Sequence, residues 1–318
     1  MNINSFKKRI KKDIKKLLYH NFNWYKGKFL GIHLQGGLCN KLHCLFSACD
    51  IAINEKSRII EPYFGWEKPI LFSEIYDLDY FNSKMSEFNN GKNLIISRDK
   101  LNTKSAKLNS IENVVDLWKY SERELFKQRN TFSININSTK LRVLNALKLR
   151  PEYQSIVDSY TNDKSFTAIQ IRTESDWVRH AGTNKVNGNE KILVSLDEIL
   201  KMVADFEIVG DLFFTSGQNH SKISENIKKL DIQPHHFYQP NYEYEINAAI
   251  NFEICCRSHY FIGLSRSSYS NLISLKRAGL LNNDNSFIYN YRDKILKRQD
   301  MGIQYVAELS VNNKTVIK

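Results

Sequence analysis

The stretch that decides the fold is FLGIHLQGGLCNKLHCLFSACDIAINEKSRIIEP, residues 29–62. An apolar strand runs to about Gln35, a Gly36–Gly37 turn follows, and the apolar spacing predicts a helix from about Leu38 to Asn54. A second strand is predicted near Arg58 to Glu61. This order of strand, helix and strand is a βαβ unit, which indicates a parallel sheet covered by helices.

The same alternation returns from Ser165 onward, where glycine or serine loops follow the strands. The predicted elements are, in order, FTAIQIR, SLDEILKMVADF, DLFFTSG, SKISENIKKL, HHFYQ, YEINAAINFEICCRS, YFIG and YSNLISLKRAG. Before this series, the strand NLIISR ends near Arg98, residues 100–160 show helical spacing, and Pro151 marks a hinge. We therefore predict two facing Rossmann-like domains, at 1–155 and 156–318, with ligands binding in the cleft at the strand ends.

Composition describes a globular, basic protein. The chain of 318 residues contains 42% hydrophobic residues, and 46 Lys and Arg against 34 Asp and Glu give a net charge of +12. Such a charge favours an anionic partner. Because the lysines are scattered and no nucleic-acid-binding module is recognisable, we expect the partner not to be a nucleic acid. The five cysteines include no C-x-x-C pair, so we read them as small apolar helix residues in a reducing compartment.

Residues 1–22 place apolar side chains on one helical face and lysines on its flanks. A basic leader helix of this kind either lies on an anionic membrane surface or packs on the protein as a solvated helix, and both readings stay open. No apolar run reaches the length of a membrane span, and no signal-peptide core stands at the N-terminus. The sequence therefore predicts a cytoplasmic protein, peripheral to the membrane in the first of the two readings.

Three loops at strand ends have the chemistry of phosphate binding. Gly36 and Gly37 permit close backbone approach before a helix whose first turn carries Asn40. Ser267 and Ser268 precede another helix, so they offer hydroxyl groups beside its N-terminus. Each loop also has a purely structural reading, namely a tight turn in the first case and a helix N-cap in the second.

Arg172 supplies a cation in the third loop, at the end of an otherwise apolar strand. Its guanidinium is suited to planar, bidentate recognition of phosphate oxygens. The structural alternative is an ion pair with a nearby carboxylate, Glu174 or Asp176.

Taken together, these segments resemble the GDP-fucose-dependent fucosyltransferases, and most closely the protein O-fucosyltransferase branch. QIRTESDWVR, residues 170–179, resembles the branch's histidine-x-arginine strand and its following loop, with Arg172 on the arginine and Asp176 in the loop. GLSRSSYSNLI resembles the late serine motif, with Ser267, Ser268 and Tyr269 in register. GGLCNKL resembles the N-terminal glycine and asparagine loop, with Asn40 on the asparagine.

The resemblance implies a GT-B fold and an inverting glycosyltransferase that needs neither metal nor cofactor. Its donor is implied to be GDP-fucose and its acceptor a glycan, a lipid-linked oligosaccharide or a protein hydroxyl. Arg172 would neutralise the leaving phosphate with Ser267 and Ser268 as neutral donors, Gly36, Gly37 and Tyr269 would line the donor site, and Asn40 would lie on the family asparagine. Asp176 is in the right loop to be the general base, and its alternative is a structural role beside Trp177. The N-terminal domain would face the acceptor, and the C-terminal domain would bind the nucleotide sugar.

Two positions depart from the family pattern. Gln170 replaces the histidine and Asn251 replaces an aspartate, and both family positions help to hold guanine. Each new side chain offers a carbonyl and an amide, so another base, and hence another nucleotide sugar, stays open, as does a non-catalytic binding module. A metal-dependent reading rests on the D-x-D string Asp77-Leu78-Asp79, which we interpret as a coincidence in a loop after a short helix.

Overall fold

The structure is a computed structural model that describes residues 27–34, 36–65, 68–101, 106–111, 138–162, 164–183 and 190–298. It contains two β-sheets flanked by helices. The leader segment at residues 1–22 lies outside the described residues. In the described part of the chain, no helix is both long and apolar enough to cross a bilayer.

The first sheet is entirely parallel and has the strand order β3-β2-β1-β4. Its strands are β1 (Gly27–Ile32), β2 (Arg58–Ile60), β3 (Ile95–Ile96) and β4 (Ala106–Ile111). The accompanying helices are α1 (Leu38–Asn54), α2 (Phe72–Ile75), α3 (Leu78–Ser86), a short 3-10 turn (Arg98–Lys100) and α4 (Thr139–Ala146). The βαβ unit predicted for residues 29–62 is therefore confirmed.

Residues 106–111 correct the helical reading of 100–160. They form β4, which pairs with β1 along its whole length, from Gly27 opposite Ala106 to Ile32 opposite Ile111. The prediction was wrong here because the sequence AKLNSI contains too few apolar residues to show a strand period. Pairing with a central strand decides the conformation instead.

The second sheet has the order β10-β9-β8-β5-β6-β7, and it is parallel except for the antiparallel edge strand β10. Its strands are β5 (Thr167–Gln170), β6 (Leu212–Thr215), β7 (Pro234–His235), β8 (Tyr260–Gly263), β9 (Ser286–Tyr291) and β10 (Lys294–Lys297). The helices are α5 (Pro151–Thr161), α6 (Ser175–Thr183), α7 (Leu196–Ala204), α8 (His220–Lys228), α9 (Tyr244–Arg257) and α10 (Ser268–Leu280). Pro151 begins α5, so the boundary predicted at residue 155 falls within a helix and stays a prediction.

The two halves share one apolar core. Helix α1 is buried nearly all round and packs against α9 and α10, while α4 packs on α10 and α5 packs on α9. All five cysteines are free and buried in these helices, as the sequence predicts. The fold is thus α/β with two Rossmann-like units in the GT-B arrangement.

Arg277 fixes the last turns of α10 to the start of β8. The side chain is fully buried and donates hydrogen bonds to the carbonyl oxygens of Ser258 at 2.5 Å, His259 at 2.8 Å and Asn285 at 3.0 Å. Burial lowers the pKa of Arg277 to about 10, which leaves it charged at neutral pH. The network thus joins β8 and α10 at the ends that lie away from the serine loop, and it fixes how these two elements pack together.

Candidate active site

Each sheet reverses its strand order at one point, and the predicted loops follow the strands at those points. In the first sheet the chain builds β1, β2 and β3 to one side and then β4 to the other. In the second it builds β5, β6 and β7 and then returns to β8 on the opposite side of β5. Ligands of open α/β sheets bind at the carboxyl ends of strands where such a reversal occurs. The glycine loop follows β1, Arg172 follows β5, and the serine loop follows β8.

The glycine turn leaves the start of α1 open to an anion. Gly36 has φ +80°, and a Cβ there would lie 2.7 Å from Asn40 Nδ2, so only glycine fits against that amide. Gly37 occupies the N-cap position, and no side chain among the described residues caps the helix. The first N–H groups of α1 are therefore available to a ligand.

Asn40 and Ser268 join the two halves of the site. Ser268 Oγ donates a hydrogen bond of 2.6 Å to Asn40 Oδ1, across 228 residues of chain. The glycine loop and the serine loop therefore meet directly. Ser267 is 2% exposed, and its hydroxyl caps α10 by accepting from Ser270 N–H at 3.5 Å. The N-cap alternative thus describes Ser267 in this structure, while Ser268 lies half-buried where the loops meet.

Arg172 follows the carboxyl end of β5 in the second sheet, and two carboxylates lie beside it. Its Nε donates to Glu174 Oε2 at 3.0 Å and its Nη2 donates to Asp176 Oδ2 at 3.3 Å. The guanidinium carbon also lies 4.5 Å from the ring centroid of Trp177, in cation–π geometry. The ion-pair alternative is therefore present in the structure. Nη1 makes no hydrogen bond to any described residue, so one corner of the guanidinium is open to a ligand.

Glu174 positions that arginine, and the ion pair named as the structural alternative for Arg172 is therefore present. Its side chain is 7% exposed and accepts hydrogen bonds from Gly217 N–H at 2.6 Å and from Ser216 Oγ at 3.3 Å. The loop after β6 thus fixes the carboxylate, and the carboxylate fixes one edge of Arg172. Asp176 differs from Glu174 in its exposure. Its side chain is 65% exposed, and its contact with Arg172 lies at the surface.

The two positions that depart from the family pattern are buried and oriented. Gln170 Oε1 accepts from Ser270 Oγ at 2.5 Å, which ties the end of β5 to α10. Asn251 Nδ2 donates to the carbonyl oxygens of Phe237 at 3.0 Å and Asn247 at 2.8 Å. These two carbonyls fix the orientation of the amide, because a flipped amide would place its own oxygen against the two carbonyl oxygens. Asn251 Oδ1 is buried and has no hydrogen-bond partner among the described residues.

The side chain of Tyr269 makes its contacts with other residues of the protein. Its hydroxyl donates to the carbonyl oxygen of Ala248 at 3.2 Å, and its ring packs edge-on against Phe252 with centroids 5.7 Å apart. Burial raises the pKa of its phenol well above the ordinary value, so it stays protonated. The residue joins α9 to α10, and its role in donor binding stays a prediction.

The D-x-D string has a structural role. Asp77 is the N-cap of α3, where its side chain accepts from Tyr80 N–H at 2.9 Å. Over the described ranges, no group of three or more His, Cys, Asp or Glu side chains is arranged to hold a metal ion.

A cavity of about 490 Å³ lies beside Thr173 on the outer side of α6. It is lined by residues of α6, α7 and α8 and the segment before α7, including Val178, Leu193 and Lys222. None of the loop residues Asn40, Arg172 or Ser268 lines it. It is therefore separate from the place where the glycine and serine loops meet.

Two Rossmann-like sheets, each with one reversal of its strand order, are characteristic of the GT-B class. Comparison with known proteins agrees with this class. No known family profile matches the chain. The chain is 30% identical over 134 aligned residues to O-fucosyltransferase 23 of Arabidopsis thaliana, and the match covers 35% of this chain and 29% of that relative.

Solved structures of POFUT1 share the fold. The complex of POFUT1 with GDP-fucose gives a TM-score of 0.57 at 12% identity, covering 85% of this chain and 99% of that one. The complex of POFUT1 with GDP gives 0.55 at 12% identity, covering 82% and 97%. The chain therefore has a fucosyltransferase-type fold, which confirms the predicted resemblance to fucosyltransferases, while the roles of the residues in the three motifs stay predictions.

Proposed function

We propose that the protein is an inverting, metal-independent fucosyltransferase that uses GDP-fucose. The observation that carries the proposal is the contact between Asn40 and Ser268, which joins the loops at the reversals of both sheets. POFUT1, whose fold is similar, was solved with both GDP and GDP-fucose. A nucleoside diphosphate between the two sheets would meet the open N-terminus of α1, the hydroxyl of Ser268 and the guanidinium of Arg172.

The transfer step places the growing negative charge beside these donors. The acceptor oxygen attacks the anomeric carbon from the side opposite the diphosphate, the bond from that carbon to the phosphate oxygen breaks, and GDP leaves with the electron pair. Arg172 and the N–H groups of α1 stabilise the charge that develops on the leaving phosphate. Asp176 takes the proton of the acceptor hydroxyl, because it is the exposed carboxylate of the pair beside Arg172.

The orientation of Asn251 supports guanine as the base. Its amide nitrogen is already bound to two backbone carbonyls, so the atom left for a ligand is the acceptor Oδ1. Guanine presents N–H donors on its Watson–Crick edge, and an acceptor in this position suits them. The replacement of the family aspartate therefore keeps one acceptor oxygen and removes the charge.

The test is a thermal-shift comparison of GDP, UDP and ADP. Wild type should be stabilised most by GDP, by about 2.7 kcal/mol when the ligand is at one hundred times its Kd. Arg172→Ala should lose most of this shift, while the control Arg179→Ala, at an exposed position on α6, should keep it. The phosphate-binding role of Arg172 fails if wild type and Arg172→Ala respond equally, and a larger response to UDP keeps the mechanism but rejects fucose.

Turnover tests the reaction itself. GDP release from GDP-fucose should require an acceptor hydroxyl and should be unchanged by EDTA. Loss of release in EDTA that manganese restores contradicts metal independence. The acceptor, the cytoplasmic location and the membrane-surface role of residues 1–22 stay predictions from the sequence.

A further inference from the structure

The first turn of α9 is held against the first half of the chain by two ion pairs. Lys41 of α1 contacts Glu245, and both side chains are only 1% exposed. On the outside, Lys68 Nζ lies 3.2 Å from Glu243 Oε1. These pairs flank Tyr244 on either side in the sequence. Its backbone is therefore fixed from both directions.

Tyr244 lies over the glycine turn. A Cβ placed on Gly37 would be 3.7 Å from Tyr244 Oη and 3.9 Å from its Cε1, so the ring edge stands directly above the N-cap of α1. The residue is nevertheless 59% exposed. Its hydroxyl has no hydrogen-bond partner within the described ranges. A large aromatic side chain with an open face and an unused donor is characteristic of a ligand-contacting position.

The charge of Arg172 also interacts electrostatically with the phenol of Tyr244. Desolvation by the surrounding walls raises the pKa of the Tyr244 phenol, although much of the ring is exposed, and the charge of Arg172 opposes that rise. Glu174 and Asp176 also act to raise it. The hydroxyl is thus protonated at neutral pH and stands in the field of both phosphate-binding elements, the turn before α1 and the arginine after β5.

We propose that Tyr244 is a further donor-binding residue, whose hydroxyl donates a hydrogen bond to a phosphate oxygen of the nucleotide sugar between Gly37 and Arg172. This inference rests on the proposed function, since it places the diphosphate in the same cleft. It adds a neutral donor from α9 to the N–H groups at the start of α1 and to Arg172.

The test is Tyr244→Phe, which removes the hydroxyl and keeps the ring. Its matched control is Tyr242→Phe, because Tyr242 lies two residues earlier and packs edge-on against Tyr153 with centroids 5.5 Å apart. Binding is measured by titration calorimetry with GDP and with inorganic pyrophosphate, which probes the phosphate site without a base. Circular dichroism and the Tm check that both variants fold.

Tyr244→Phe should weaken binding of both ligands about ten-fold, the loss of one hydrogen bond to a charged group, while Tyr242→Phe should bind like wild type. Equal affinity of wild type and Tyr244→Phe for GDP and pyrophosphate overturns the assignment of Tyr244 and leaves the proposed function standing. A loss for GDP with no loss for pyrophosphate also overturns it, because the contact is then not to phosphate. If wild type binds neither ligand, the proposed function fails together with this inference.

Discussion

The buried ion pair between Lys41 and Glu245 leads to the most demanding stability prediction. Both side chains are 1% exposed, and Lys41 Nζ also donates to the carbonyl oxygen of Phe64. Glu245 Oε2 has no hydrogen-bond partner in the described part of the chain. The carboxylate therefore depends on Lys41 for the compensation of its charge. Removing the lysine leaves a buried, uncompensated charge between α1 and α9.

The expected cost follows from that arrangement. Breaking a buried pair by removing one partner typically costs about 3–5 kcal/mol, and we expect Lys41→Met to lie in this range. Replacing both partners by apolar side chains of similar volume removes the desolvation penalty as well. The double variant Lys41→Met/Glu245→Leu should therefore be more stable than Lys41→Met alone, and close to wild type. The difference between the sum of the single effects and the double effect measures the coupling.

The assay is equilibrium unfolding in guanidinium chloride, followed by far-UV circular dichroism and analysed as a double-mutant cycle. Lys191→Met serves as the control, because Lys191 pairs with Glu198 and Asp293 on the exposed surface and its loss should change stability little. The reasoning is refuted if Lys41→Met costs no more than the control. Full additivity of the two single variants also contradicts it.

Three further predictions concern the pH dependence of stability, the recognition of the nucleotide base and the positioning of Arg172. Burial lowers the pKa of His43 well below its ordinary value. Below pH ~6.5 the unfolded chain therefore binds a proton at this position that the folded chain does not. The free energy of unfolding should then fall by up to about 1.4 kcal/mol for each pH unit. His43→Gln should flatten that decline in Tm and the exposed control His259→Gln should not; an unchanged slope in His43→Gln contradicts the assignment. Asn251→Asp should raise the preference for GDP over UDP in calorimetry, and an equal preference in both proteins rejects its role in reading the base. Glu174→Gln should reduce kcat with GDP-fucose more than it changes KM, because a neutral amide holds Arg172 less firmly; unchanged kinetics would show that the contact is only structural.

Much of the fold follows from local pattern. The helix over α1 and the strands β1, β2, β5 and β8 carry strong apolar periods, and the structure contains each of them where the sequence predicts it. Strand β4 was missed because its sequence is polar and only its pairing with β1 makes it a strand. Helix α6 was missed because it lies in a polar segment that reads as a loop.

The candidate site also contains residues that the sequence predicts and residues that it does not. The strand-end loops were predicted because their residue types carry the chemistry, and the motifs occur in the order of a known family. Glu174 was named only as an ion-pair partner of Arg172, and its anchoring by the loop after β6 was not predicted because that loop is distant in the sequence. Tyr244 was not assigned a role, because it lies against the glycine turn of the other half. For Arg172 the sequence leaves a phosphate and a carboxylate open as partners, and the structure shows a guanidinium held by carboxylates with one corner open.

The hydrogen bond between Asn40 and Ser268 has a consequence for the order in which the protein is made. The two residues are separated by 228 positions, so at ribosomal rates of about 5–20 residues per second Asn40 waits roughly 10–50 s before Ser268 is synthesised. Until residues 244–280 have been synthesised, the helix that follows the glycine turn has neither α9 nor α10 to cover its apolar surface. A nucleotide that contacts both loops can therefore assist folding only after Ser268 has emerged.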